Sequence, residues 1–292
     1  MANLKEIRNR ITSVASTMQI TSAMKMVSAA KLKRAQDAVT KMRPYSQKLH
    51  QILSNLSASL DTSENEYAAT REVKNVLIVV LSSNRGLCGG FNNYVIKEAL
   101  RQARDTYKGK NVAVVTIGKK ATDTFKKSDF NIKGSRLPKH IDELWGKLTF
   151  ANAAPIAESI MKVYTEKHID KVVLVYNHFK NVATQVVTVE QFLPIVQKPQ
   201  TEGTAQLDYI FEPSKEEIVS ELIPKSLKIQ FYSALLDSFA GEHGARMTAM
   251  HKATDNATAL NKKLKLDYNK ARQAAITNEI LEIVGGAEAL KG

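Results

Sequence analysis

The stretch Leu4-Lys5-Glu6-Ile7-Arg8-Asn9-Arg10-Ile11-Thr12-Ser13-Val14-Ala15-Ser16-Thr17-Met18 decides the fold, because Leu4, Ile7, Ile11, Val14 and Met18 recur alternately three and four residues apart. That spacing is the apolar seam of a coiled coil. It resumes at Leu32, Ala35, Val39 and Met42, and again at Leu49, Leu53, Leu56 and Leu60. Between the first two sets the seam turns polar, at Thr21, Lys25 and Ser28. The first glycine of the chain is Gly86, and Pro44 is the only earlier proline. A run of good helix formers with Pro44 as its only breaker predicts one helix over 1–60. At 1.5 Å per residue, a helix of roughly 55 residues would extend about 80 Å, so it must protrude from any domain of this size.

The other end of the chain answers it. After Pro224, helix-forming sequence continues to Val284, crossed by Gly241 and Gly244, and Gly285-Gly286 reads as its C-cap. Met250, Ala253, Ala257, Leu260, Leu264, Ala271 and Ala274 keep the 3,4 spacing, with Asp267 as the exception. Two long terminal helices most simply pack antiparallel, and small alanines allow a close approach. The middle reads differently. Residues 76–81, 112–117 and 172–176 are short buried-strand patterns, separated by amphipathic stretches near 93–107 and 151–167. Strands alternating with helices predict βαβ units and a mainly parallel sheet. Alternation over 183–189 and the apolar run 192–196 predict a hairpin or edge strands. The expected fold is α/β: a Rossmann-like domain over 72–215, carried by an antiparallel coiled coil of 1–60 and 216–292.

Composition narrows the function classes. The 292 residues are 43% hydrophobic and 24% charged, as in a globular protein. A single cysteine excludes an internal disulfide framework. The N-terminus carries no apolar signal-like stretch and no transit peptide is expected. The net charge is +13, and residues 1–60 hold +8 of it, ten Lys/Arg against Glu6 and Asp37. Basic segments meet nucleic acid, membranes or acidic proteins. Tyr45 is the only aromatic residue of the first 60, which argues against stacking on single-stranded nucleic acid.

The most conspicuous local motif is Ser82-Ser83-Asn84-Arg85-Gly86-Leu87-Cys88-Gly89-Gly90-Phe91-Asn92, after a strand and before a helix. Its glycines suit a phosphate cradle, but it lacks the Gly-Lys-Ser/Thr of a P-loop. Gly86-Leu87-Cys88-Gly89-Gly90 also satisfies the Gly-x-nucleophile-x-Gly pattern. A Cys88 thiol hydrolase would need His140, His168 or His178 as base. A tight turn built from small residues is the favoured reading. No metal-ligand spacing stands out, and Glu242-His243 with Arg246 reads as a polar cluster rather than a catalytic one. Met18, Met24 and Met26, where the seam turns polar, suit a surface that repacks against changing partners.

Several motifs together resemble one family. Ile7-x-x-Arg10-Ile11-x-Ser13-Val14, Gln19-Ile20-Thr21-x-Ala23-Met24-Lys25-Met26-Val27-Ser28, Arg85-Gly86-Leu87-Cys88-Gly89-Gly90, Ala245-Arg246-Met247 and Asn269-Lys270-Ala271-Arg272-Gln273 are similar to the gamma subunit of F-type ATP synthases, in order and at the expected separations. The resemblance implies a central-stalk rotor that couples ion-driven c-ring rotation to the catalytic beta subunits. The chain itself would be non-catalytic, with no cofactor, no metal and no nucleic-acid partner. It implies alpha, beta and epsilon subunits and the c-ring as partners, and a peripheral place on the cytoplasmic face of a bacterial inner membrane, reached through the complex only. By motif match, Arg272, Gln273, Thr277 and Glu279 would meet the beta subunits, with Met24 and Lys25 against the same region. Leu207, Asp208, Tyr209 and Glu212 would lie on the c-ring and epsilon side. Two residues depart from the family pattern. Asn84 replaces the usual acidic residue, and Gly244 stands where alanine or serine is more usual, which predicts a bend or looser helix over 241–244. No cysteine-pair insertion is present, so the thiol switch of chloroplast relatives cannot operate.

Overall fold

A computed structural model of the chain describes residues 4–57, 66–69, 71–128, 130, 141–195 and 215–289. The elements are α1 (Leu4–Ser57), β1 (Asn75–Leu81), α2 (Phe91–Arg101), β2 (Asn111–Ile117), α3 (Lys119–Phe125), α4 (Phe150–Thr165), β3 (Lys171–Phe179), β4 (Gln185–Leu193) and α5 (Lys215–Ala289). A π turn over Gln102–Thr106 extends α2, and a 3₁₀ turn spans Asp142–Gly146. The chain divides into two compact units, one made of residues 1–28 with 247–292 and the other of residues 29–246.

The first unit is an antiparallel pair of helices. Partners on α5 fall in number as those on α1 rise. Arg8 Nη2 donates to the Tyr268 hydroxyl at 2.8 Å, Asn261 Nδ2 donates to the Ile11 carbonyl at 3.3 Å, and the Thr21 and Thr254 hydroxyls bond each other at 2.8 Å. Ile7, Thr21, Ser28, Met250, Ala257, Asn261 and Leu264 are buried. The α5 seam therefore differs from the one expected. Leu260 is 43% exposed, while Asn261 occupies the buried position beside it. Tyr268 and Ala275 are half-buried where Asp267 and Ala274 point to solvent. The 3,4 alternation is intact: Met250, Ala257, Leu264 and Ala271 keep their places, while Asn261, Tyr268 and Ala275 replace Leu260, Asp267 and Ala274, so Asp267 is not a seam position. Polar residues that find partners across the seam win over an aliphatic neighbour that does not face it.

The second unit is a three-layer α/β domain. Its sheet order is β2-β1-β3-β4. β1 runs parallel to β2 and β3, and β4 closes the edge antiparallel to β3. β1 is apolar from Val76 to Leu81 because both faces are covered there. Val76, Ile78 and Val80 pack with Val95, Ala99, Ala121 and Phe125 of α2 and α3. Leu77, Val79 and Leu81 pack with Ile156, Ile160 and Tyr164 of α4 and with Leu227, Phe231 and Leu235 of α5. A single strand, β4, replaces the two expected runs.

Breakers mark the helix ends less than their spacing suggests. α1 passes through Pro44, whose side chain is exposed. α5 starts ahead of Pro224 and passes through Gly241, Gly244 and Gly285-Gly286. Neither Gly285 nor Gly286 takes the positive φ of a C-cap, and Ala287-Glu288-Ala289 continue the helix. At Gly241 and Gly244 the helix is unbroken. Their missing side chains let α5 approach its neighbours. A Cβ at Gly241 would stand 3.3 Å from the Phe91 ring, and one at Gly244 would stand 3.3 Å from the Phe179 ring.

Candidate functional site

The 82–92 motif forms a turn that leaves the C-terminal end of β1. Ser82 N donates to the Ile117 carbonyl at 2.8 Å, and Ser82 Oγ accepts the Ala121 amide at 2.9 Å, which ties β1 to β2 and α3. Ser83 N donates to Asn92 Oδ1 at 2.9 Å, and Asn92 Nδ2 donates to Ser83 Oγ at 2.8 Å and Cys88 Sγ at 3.2 Å. Asn92 thus closes the turn on itself. Leu87 and Gly89 take φ of 62° and 59°, the left-handed region that favours glycine. Asn84, at the departure from the family pattern, accepts the Lys119 amide at the start of α3 at 3.0 Å.

Cys88 is buried, and that burial pushes its thiol up from the ordinary value. A nucleophilic cysteine needs the opposite shift and an adjacent base. His168 faces Glu166 and His178 faces Asp237, while His140 lies outside the described residues. Neither His168 nor His178 is a partner of Cys88, so neither serves it as a base. A cavity of about 380 Å³ beside the turn is lined by Lys120 and Asp123 among others, one cation offset by one acid, which does not suit a phosphate cradle. Among the described residues no group of three His, Cys, Asp or Glu side chains could hold a metal.

The turn instead docks on α5. Its Arg85 and Gly86 carbonyls accept hydrogen bonds from Arg246, whose Nη2 stands 2.8 Å from Arg85 O and whose Nε stands 3.2 Å from Gly86 O. Nη1 of the same guanidinium donates to Glu242 Oε1 at 2.6 Å. Burial raises the Glu242 carboxyl, against the pull of Arg246 and then of Lys31. Burial, with Arg246 and Lys31 nearby, pushes His243 down to about 3, so its ring is neutral at pH 7. The cluster that the sequence marked as polar is thus a buried mount for the turn. The available signal was an i,i+4 Glu/Arg pair beside two glycines on a helix.

The expected partner-contact residues lie on the helical pair. Met24 and Lys25 are half-buried, and Lys25 Nζ is 3.5 Å from His251 Nδ1. Arg272, Gln273, Thr277 and Glu279 are exposed, and the Thr277 hydroxyl donates to the Gln273 carbonyl at 2.9 Å. The structure does not bring the two sets together: Arg272 lies about 30 Å further along α5 than His251, at 1.5 Å per residue. Past Arg272, Ile276, Ile280, Leu281, Ile283 and Val284 are exposed. Leu207, Asp208, Tyr209 and Glu212 lie outside the described residues. Among the described residues no helix is long and apolar enough to cross a membrane.

With this geometry in place, comparison with known proteins is decisive. The ATP synthase family model matches residues 3–290. The ATP synthase gamma chain of Christiangramia forsetii is 62% identical over 293 residues, covering all of both chains, and that of Flavobacterium johnsoniae is 60% identical with the same coverage. Among solved structures, the Euglena gracilis mitochondrial ATP synthase rotor matches with a TM-score of 0.67 at 21% identity, covering 94% of this chain and 98% of that one. A Euglena gracilis OSCP/F1/c-ring structure matches at 0.69 and 21%, covering 98% and 94%. At that identity the structures speak to the fold, and the fold agrees: long terminal helices and a small, mainly parallel sheet. Full-length identity of 60% and more carries the rest, and the chain belongs to the gamma-chain family of ATP synthases.

Proposed function

We propose that this chain is the central rotor shaft of a bacterial F-type ATP synthase, non-catalytic in itself. It would turn with the c-ring and drive the catalytic beta subunits through their conformations in sequence. The observation that carries this reading is the helical pair of residues 1–28 and 247–292 in a gamma-chain family member. Its surface keeps large apolar side chains in water, among them Ile20, Met26, Val27, Leu266 and Ile280. Isolated exposed apolar residues need no explanation, but a series along both helices and the far end of α5 suits a partner that surrounds them. Alpha and beta subunits would form that surround. Epsilon and the c-ring would meet the α/β portion, with Leu207, Asp208, Tyr209 and Glu212 on that side. Arg272, Gln273, Thr277 and Glu279, with Met24 and Lys25, would contact the beta subunits at two levels rather than one. The division 1–60, 72–215 and 216–292 separates shaft from base, and membrane association, on the cytoplasmic face, would come through the complex alone.

The test is assembly. Mixed with alpha and beta subunits, the chain should co-elute with them on size exclusion, and with delta, epsilon and the membrane sector it should restore coupled ATP synthesis. Separate elution would overturn the reading.

A further inference from the structure

A shaft transmits torque only if its helix cannot turn within its mount, and the α/β unit holds α5 in two ways that an ordinary apolar seam does not. The first is shape. Gly241 lies against the Phe91 ring, the Gln185 side chain and the Asn177 carbonyl, with a Cβ there 3.3–3.5 Å from each. Gly244 lies likewise against Phe179, Val182 O and Gln185. Turning the helix by one residue, about 100°, would bring side chains to places where hydrogen atoms now fit. The second is directional bonding. Arg246 aims three donor contacts of 2.8–3.2 Å at two backbone carbonyls of the 82–92 turn. Its other arm is held by Glu242, and Glu242 and Arg246 are both under 10% exposed. Earlier on the same helix, Gln230 Nε2 donates to Glu190 of β4 at 2.6 Å, and Asp237 pairs with His178 of β3. Apolar contacts tolerate sliding, whereas a guanidinium fork on fixed carbonyls is satisfied in one orientation.

We propose that Arg246 is a positioning residue that pins the rotational register of α5 to the sheet. Torque entering the α/β unit then reaches the helix without slip. The inference rests on the rotor reading for its purpose and on the geometry alone for its mechanism. The turn is a fitting anchor because it is itself over-determined. Ser83, Cys88 and Asn92 bond one another across it, Ser83 Oγ donates to the gripped Arg85 carbonyl at 2.7 Å, and Leu87 keeps its positive φ within it.

Two measurements test the proposal. Arg246→Gln alone would leave Glu242 buried and unpaired, so the variant to use is the double substitution Glu242→Gln/Arg246→Gln, with Arg101→Gln on the exposed face of α2 as control. In the full-length chain, hydrogen exchange at the amides of 86–90 should speed up about tenfold or more in the double variant, the weight of a charge-assisted hydrogen bond. Exchange in β1 should not change. In the reconstituted complex, ions pumped per ATP hydrolysed should fall in the double variant and not in the control. Arg246→Lys, which keeps the charge but loses the fork, should fall between. Unchanged exchange at 86–90 would overturn the pin. So would an unchanged pumping ratio, or one lost only in proportion to the amount of assembled complex. A wild-type chain that assembles with no partner would overturn the rotor reading instead, and the exchange measurement would still decide the pin.

Discussion

Single residues set the sharpest constraints in the α/β unit. Gly118 has φ +111°, and a Cβ there would stand 2.0 Å from the Ser82 carbonyl oxygen, a backbone atom that cannot swing aside. Gly118→Ala should therefore cost about 3 kcal/mol or more, read as a shift in the urea midpoint. His243 makes stability depend on pH. Its folded value of about 3 lies below the ordinary histidine value of 6.5. Its contribution is thus fully present above pH 6.5 and is lost as pH falls toward 3, by up to about 1.4 kcal/mol per pH unit. Glu242 has the opposite sign. Its carboxyl is raised by burial, so the folded state takes up that proton more readily than the unfolded chain and offsets part of the loss. His243→Gln should flatten the stability profile between pH 6.5 and 4, and an unchanged slope would refute the assignment. Cys88 should resist alkylation in the folded chain and react on unfolding, as a buried thiol with a raised pKa does.

At the scale of elements, the position of the α5 seam is the test that separates pattern from packing. Leu264 is buried and Leu260 exposed, although both fit a 3,4 reading of the sequence. Leu264→Ala should cost about 2–4 kcal/mol and Leu260→Ala under about 0.5 kcal/mol, measured by helical signal against urea. Equal losses would restore the sequence reading. The long helices, three of the strands and the parallel core were legible because periodicity and apolar runs survive in one dimension. The seam position was not. It depends on Asn261 reaching the Ile11 carbonyl and Tyr268 reaching Arg8, partners some 250 residues away in sequence. The short α3 escaped because seven residues carry too few turns for a helical period to show.

For the whole molecule, the exposed residues at the far end of α5 should matter through assembly rather than through folding. Arg272→Ala or Glu279→Ala should weaken binding to alpha and beta subunits, or turnover of the complex, more than Lys126→Ala in the α/β unit does. All three side chains are exposed, so the isolated chains should melt alike. Equal effects on assembly would remove these residues from the contact. The excess of positive charge fits the same picture, since most of it lies on α1.

By itself the sequence determined that two long terminal helices pair, that a mainly parallel sheet lies between them, and which family the motifs resemble. Each of these is written in local periodicity or in runs of matched residues. Only the tertiary structure decided which α5 residues face the seam, and that Gly241 and Gly244 permit close packing. It also decided that the 82–92 motif is a turn gripped by Arg246 rather than a reactive thiol or a phosphate cradle. Those outcomes depend on which carbonyl, ring or carboxylate stands opposite a side chain. Spacing along the chain carries no record of that until the chain has folded.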